Sequence, residues 1–320
     1  MAPYRKPSTL LTWWNVGNSV VPFLACMTAA AIVMPISYWL CLPFMVLAAG
    51  FNIRNFIIMH DAGHGTLFRS RRMNGFVGHL AGILALTPLR DWSHNHAIHH
   101  ASSGDLDRRT NTDIQTITVA EYRSRSRWAR LGYRAYRNPL VLLLFGWIWS
   151  FVLNHRLPRK ITKGKGRSSL LLTNLGVAAM IVAMLLFAGW RYLVLVYLPM
   201  IGLAGLIGVW LFYMQHQFED VYWRRHEDWK FVRAAMDGAS YLRLPAVLQW
   251  FTGNIGFHHI HHLDPRIPYY YLPRCHRSHP LMARAPVLTL FDTIRCFRQN
   301  LYDEESGRMV SFRSLSGSPA

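Results

Sequence analysis

From Val20 to Met59 the chain carries a single charge, that of Arg54. An uncharged stretch this long is the strongest constraint on the fold, because at about 20 residues per crossing it holds two membrane-spanning helices. Pro35 and Pro43 fall near the expected turn. Arg5 and Lys6 ahead of the stretch, with Ala29-Ala30-Ala31 inside it, also imitate a secretion signal. The apolar sequence continues without a polar break, which favours the hairpin. A second stretch, Ser169 to Gln215, is interrupted at Gly189-Trp190-Arg191 and reads as another hairpin. The predicted fold class is therefore all-α, a polytopic membrane protein with four transmembrane helices. Composition agrees: 52% of residues are hydrophobic and 16% charged, against about 25% charged in soluble domains. That apolar content excludes disorder, and the net charge of +19 then requires no nucleic-acid partner.

Two shorter stretches, Asn74 to Leu89 and Asn138 to Asn154, are near or below spanning length and read as interfacial or re-entrant helices. The basic residues are concentrated between the hairpins: Arg123, Arg125, Arg127, Arg130, Arg134 and Arg137, then Arg156, Arg159, Lys160, Lys163, Lys165 and Arg167. The first hairpin turn has no Lys or Arg, and the second has only Arg191. By the positive-inside rule both termini and the large middle loop are cytoplasmic. The basic face would also favour anionic lipid headgroups. Residues 1–302 read as one membrane domain, and the polar, Gly/Ser-rich tail 303–320 as disordered. Cys26, Cys41, Cys275 and Cys296 have no regular spacing, so a zinc knuckle or disulfide framework is not expected.

The 16 histidines are not scattered. His60 and His64 form H-x-x-x-H, His96, His99 and His100 form H-x-x-H-H, and His258, His261 and His262 form a second H-x-x-H-H. Residues at i, i+3 and i+4 share a helical face, so each cluster can turn two or three imidazoles toward one place. All three lie on the side that the charges mark as cytoplasmic. Neutral imidazole suits Fe, Zn and Cu, and eight such donors exceed what one ion accepts, so a binuclear site is the economical reading. No Glu-x-x-His pair is present, unlike the carboxylate di-iron bundles. His79, His155, His226, His276 and His279 are isolated and read as surface or packing residues.

The segments HDAGHGTLF, HAIHHASSGDLDRR, QHQFEDVYW and TGNIGFHHIHHLDPRIPYYYL resemble the integral-membrane fatty acid desaturases, specifically the acyl-lipid desaturases of the Δ12 (ω6) type and their bacterial relatives. The resemblance runs from about Asn52 to Arg277 and implies four transmembrane helices under a cytosolic, histidine-rich helical cap around two iron ions. The family register, with a Trp four residues ahead of the first ligand, selects His96 over His94. It likewise selects His258 over His259, and adds His216 at the end of the fourth span. The implied metal ligands are His60, His64, His96, His99, His100, His216, His258, His261 and His262. His94 and His259 neighbour ligands and can hydrogen-bond behind them. Metal-bound imidazoles need acceptors for their other N–H. Asp61, Asp105, Asp107, Glu219, Asp220 and Asp264 stand within ten residues of an implied ligand. Asn254, one turn before His258, is a candidate to hold a metal-bound water.

The resemblance implies that two reduced irons and O2 remove hydrogens from adjacent carbons of an acyl chain, leaving a cis double bond and water. An unactivated methylene is beyond side-chain acid–base chemistry, so this step belongs to the metal. The chain has no dinucleotide fingerprint and no c-type haem motif, so electrons must come from a separate carrier, ferredoxin or cytochrome b5. Such carriers are usually acidic, and the Arg-rich face would steer them. Phe68, Trp92, Phe218, Trp223, Trp250, Phe251 and Phe257 are near the boxes and can line an acyl slot, although core or interfacial positions are the ordinary use of such rings. The nearest alternative is a di-iron membrane hydroxylase or a carotenoid ketolase. SGDLDRR, LDPRIPYYYL and QHQFED favour the desaturase. A histidine-rich metal transporter is a second alternative, but its ligands would lie within the spans.

Overall fold

The computed structural model describes residues 1–110, 113–158 and 164–316. Arg159, Lys160 and Lys163 of the basic region, and residues 317–320 of the tail, lie outside them. Helix α1, Thr9–Val33, begins where Ser8 accepts a hydrogen bond from the Leu11 amide. Helix α2, Cys41–His64, ends at Gly65, whose φ of 75° turns the chain away directly after the second histidine. Helices α3, Arg71–Leu84, and α4, Leu89–Ser102, follow as a pair, with Pro88 opening α4. A short α5, Val119–Ser124, precedes α6, Arg127–Tyr136, and α7, Pro139–Trp147, which continues as a π-helix through Ile148–Asn154. Next come α8, Lys165–Phe187, α9, Gly189–Tyr192, a π-helical turn, Leu193–Tyr197, and α10, Leu198–His216. Then α11, Phe231–Asp237, α12, Ala246–Phe251, and α13, His258–Leu263, lead toward the third histidine box.

Four helical stretches are long and apolar enough to cross a membrane: Thr9–Val33, Tyr38–His64, Lys165–Phe187 and Gly189–His216. The first starts ahead of the uncharged run at its Ser8 cap, and the second and fourth run on to His64 and His216. Outward-facing Leu186 and Phe187 are largely exposed, which suits lipid and would be an aggregation hazard in water. The Asn138–Asn154 segment belongs to a helix pair, Arg127–Tyr136 and Pro139–Asn154, bent by 69°. Asn138 caps its second arm by accepting from the Leu140 and Val141 amides.

Three arginines donate to neutral acceptors within the protein. Arg54 is 1% exposed and donates to Ser19, Asn15 and Asn18 of α1 and to the Trp250 carbonyl. It thus fastens α1, α2 and α12 together with neutral acceptors. Arg137 is also buried, donating to Gln115 O, Tyr213 Oη, Gln217 Oε1 and Gln299 O. Arg156 donates to Asn174 and to the Leu86 carbonyl. By contrast, Arg123, Arg125, Arg127, Arg130 and Arg134 are exposed, as a basic surface requires.

Strands are few among the described residues. β1, Tyr241–Leu242, pairs in parallel with β2, Val287–Leu288. β3, Leu301–Asp303, pairs antiparallel with β4, Arg308–Val310. This hairpin corrects the expectation of disorder from Asp303 onward. Leu301, Tyr302 and Met309 are buried, and the Tyr302 and Met309 amides donate to Ile117 O and Glu219 O. Of these buried residues only Met309 falls within the polar tail, and its partners Leu301 and Tyr302 stand just ahead of it.

Candidate metal centre

The ends of α2 and α10 and the bodies of α4 and α13 bring the histidine boxes together. His60, His64, His96 and His261 form one set and His99, His216, His258 and His262 a second. In each set one ring nitrogen per residue lies within 4.8 Å of the others. His100 sits between them, with its Nε2 3.1 Å from His96 Nε2 and 2.9 Å from His261 Nε2, and its ring stacked on His262 at 4.2 Å. Helical geometry explains the partition. Successive residues turn by about 100°, so i and i+4 point nearly together while i+3 points about 60° to the other side. In α4, His96 therefore joins the first set and His99 the second. In α13 the roles exchange: His258 and His262 join the second set and His261 the first.

Hydrogen bonds set the direction of three rings. His60 Nδ1–H donates to Asp61 Oδ1 at 2.9 Å, and Asp61 Oδ2 also accepts from the Tyr269 amide at 2.8 Å. His99 Nδ1–H donates to Asp113 Oδ1 at 2.5 Å. His216 Nδ1–H donates to the Gly238 carbonyl at 3.1 Å. With the proton held at Nδ1, each Nε2 presents a lone pair to the centre of its set. Those Nε2 atoms crowd: His261 Nε2 is approached by His60 at 3.1 Å, His100 at 2.9 Å and His96 at 3.5 Å. In the second set His258 Nε2 faces His216 at 2.9 Å and His262 at 3.1 Å, and His99 Nε2 faces His262 at 3.2 Å. A neutral ring nitrogen carries one proton or one lone pair, so such convergence cannot be met by hydrogen bonds alone. A cation at the centre of each set satisfies it. Burial, reinforced by neighbouring rings, drives His96, His100, His258, His261 and His262 well below the ordinary histidine range, leaving neutral donors.

Residues 37–292 match the family model described as fatty acid desaturase. The chain belongs to the fatty acid desaturase family. A fatty acid desaturase of Bacillus subtilis (strain 168) is 41% identical over 319 residues, covering 100% of this chain and 91% of the relative. A probable fatty acid desaturase of Sorghum bicolor is 30% identical over 332 aligned positions, covering 94% of this chain and 81% of its own. An sn-1 acyl-lipid omega-3 desaturase (ferredoxin) of Synechocystis is 28% identical over 227 residues, 68% of this chain and 61% of the relative. The chain is thus an O2-dependent oxidoreductase with an integral-membrane fold, and membership implies an acyl substrate and an electron donor.

In this desaturase the carboxylates near the boxes have diverse partners. Asp61 alone of the six candidates is hydrogen-bonded to a ring of the two sets among the described residues. Asp105 accepts from His226 Nδ1 at 2.7 Å, and Asp107 from Arg225 and the His226 amide. Asp264 pairs with Arg5 and Arg266, and Glu219 and Asp220 face Arg308. Asn254 has a φ of 56°, and its side-chain amide reaches across to the Tyr269 carbonyl at 3.5 Å. His94 is exposed on the opposite side of α4, while His259 is buried against Tyr241 and His276. Sequence reading passed over Asp113. It follows His99 by fourteen positions, outside the window in which an acceptor was sought, and only the fold of the intervening loop returns it. Burial opposes its ionisation, but the His99 and His216 rings and hydrogen bonds from His99 and Thr110 hold its carboxyl below the ordinary range.

A cavity of about 650 Å³ opens at His60, His96, His99 and His258 and runs between α2, the Pro139–Asn154 segment and α10 to Ile201 and His155. Its aromatic lining is Phe56, Trp92, Tyr136, Phe145, Trp149, Phe151 and Phe212. Of the seven rings anticipated near the boxes only Trp92 is among these. The others pack elsewhere because adjacency to a box in sequence is not adjacency to the space in front of it. His155, read as an ordinary surface or packing residue, is a buried wall of the cavity.

Proposed function

We propose that the two imidazole sets hold two iron ions and that the chain introduces a cis double bond into the acyl chain of a membrane lipid. The observation that carries this is the contact of one apolar cavity with both sets through His60, His96, His99 and His258. When bound, the irons supply the oxidation of an unactivated methylene pair that no side chain here can perform. His60, His64, His96 and His261 are the ligands of one ion and His99, His216, His258 and His262 of the other, with His100 next to the first set. Asp61, Asp113 and the Gly238 carbonyl keep the Nδ1 protons of their partners in place, so that Nε2 faces inward. The apolar walls hold the chain extended and exclude bulk water from the reacting carbons. In each turnover two hydrogens leave adjacent carbons, two electrons and two protons enter from outside, and O2 leaves as two waters.

The printed name of the Synechocystis relative includes ferredoxin and an acyl-lipid, and this chain's exposed Arg123, Arg125, Arg127, Arg130 and Arg134 suit both an acidic carrier and a cytoplasmic face. Both termini and all three boxes are assigned to that face. One reconstitution tests the proposal. Inside-out vesicles given reduced ferredoxin from outside should yield lipids lacking two hydrogens, with two irons per chain and a rate that falls as salt rises. Product carrying an added oxygen would mean a hydroxylase. Equal activity in right-side-out vesicles would overturn the topology.

A further inference from the structure

We propose that Gly208 and Ile201 of α10 gauge how much acyl chain can lie beyond the reacting carbons. This rests on reading the cavity as the acyl slot. Gly208 is eight positions before His216 and Ile201 fifteen, which at 1.5 Å per residue places them roughly 12 and 22 Å from the histidine level. The deeper figure exceeds the ~15 Å hydrocarbon half-thickness of a bilayer, so the slot has room for a long extended tail. Its two ends differ in chemistry. Gln115 and Tyr136 line the end near the histidines, close to the exposed arginines of α6, whereas Ile201 closes the α10 side of the far end. A polar headgroup is costly to bury in hydrocarbon, so it stays at the first end and the methyl terminus goes to the second.

The glycines of α10 are not equivalent. A Cβ at Gly205 would stand 2.8 Å from the Cβ of Trp147, and one at Gly202 3.2 Å from its ring. These two are glycine because Trp147 lies on them. Gly208, one turn nearer the histidines, lines the cavity and has no heavy atom within 4 Å of the place a Cβ would take. Helix packing therefore gives no reason for glycine at this position. The absent side chain is open space in the slot, and a larger residue there projects into that space without displacing backbone. Leucine and alanine are also better helix formers than glycine, which favours folding of the variants.

The test uses the full chain in membranes containing saturated acyl chains of graded length, with desaturated product resolved by mass spectrometry. Gly208→Leu should cut conversion of the longest chains about tenfold or more relative to the shortest. Gly208→Ala should shift the profile in the same direction by less, and Ile201→Ala should extend it toward longer chains. Iron content per chain, measured in parallel, should stay at the native value in all three. An unchanged length profile in Gly208→Leu and Gly208→Ala at native iron content overturns the gauge. An acyl chain with a photoreactive group at its methyl end separates the two levels of the proposal. Labelling of the Ile201–Gly208 peptide with an unchanged profile rejects the gauge alone, while no labelling of that peptide rejects the slot itself.

Discussion

The two histidine sets have the same donor chemistry but are assembled by different routes. In the first, α2 supplies both His60 and His64, and the carboxylate that orients His60 is the very next residue. In the second, His99, His216 and the His258/His262 pair come from three helices, and the orienting groups are Asp113 and the Gly238 carbonyl. The second set is buried throughout, whereas His64 and His96 of the first are half-buried. Both sets draw their donors from three helices, but the first takes its orienting carboxylate from beside His60 and so relies less on loop packing. The second depends on how the loop after α4 and the turn after α11 pack, so it should be the more easily disturbed.

The largest effects should come from the donors that α13 deals to opposite sets. His261→Ala should abolish detectable product and strip the ion of the first set, while the neighbouring His262→Ala should do the same to the second. Elemental analysis and iron spectroscopy on both variants check this, and identical spectra would mean that the two sets are not separate sites. Next in size, Asp113→Asn should weaken metal affinity about 10–100-fold at the second set only, read as a metal content falling from two toward one. Asp61→Asn should mirror it at the first set and also lower thermal stability, since one amide oxygen is left to serve both the His60 Nδ1–H and the Tyr269 amide. Smallest is Thr110→Val, which removes one of the hydrogen bonds that Asp113 accepts. A loss of about 0.5–1.5 kcal/mol should appear as a several-fold weaker metal titration at the second set with product chemistry unchanged.

Much of this architecture is legible along the chain because it depends on local composition. Uncharged runs of spanning length specify the four spans, and the spacing of His96, His99 and His100 puts three imidazoles on one helical side whatever surrounds them. Where contact depends on how elements pack, local reading is weaker. Asp105 and Asp107 are close to the second box in sequence, yet they bind Arg225 and His226. Arg137 and Arg156 count as basic loop residues, yet the first is buried and the second half-buried, each in a neutral hydrogen-bond network. The C-terminal hairpin was obscured because Leu301, Tyr302 and Met309 find their buried positions only against other parts of the chain.

The sequence by itself determined the membrane class, the four spans and the histidine donor chemistry. Each is set by side-chain type and by spacing within one element. The tertiary structure decided which imidazoles share a centre, that Asp113 stands behind His99, and that a cavity reaches both sets. Helical periodicity fixes a side chain's direction only relative to its own helix. How α2, α4, α10 and α13 are rotated against one another follows from packing across long sequence separations, and that rotation turns three histidine boxes into two sets.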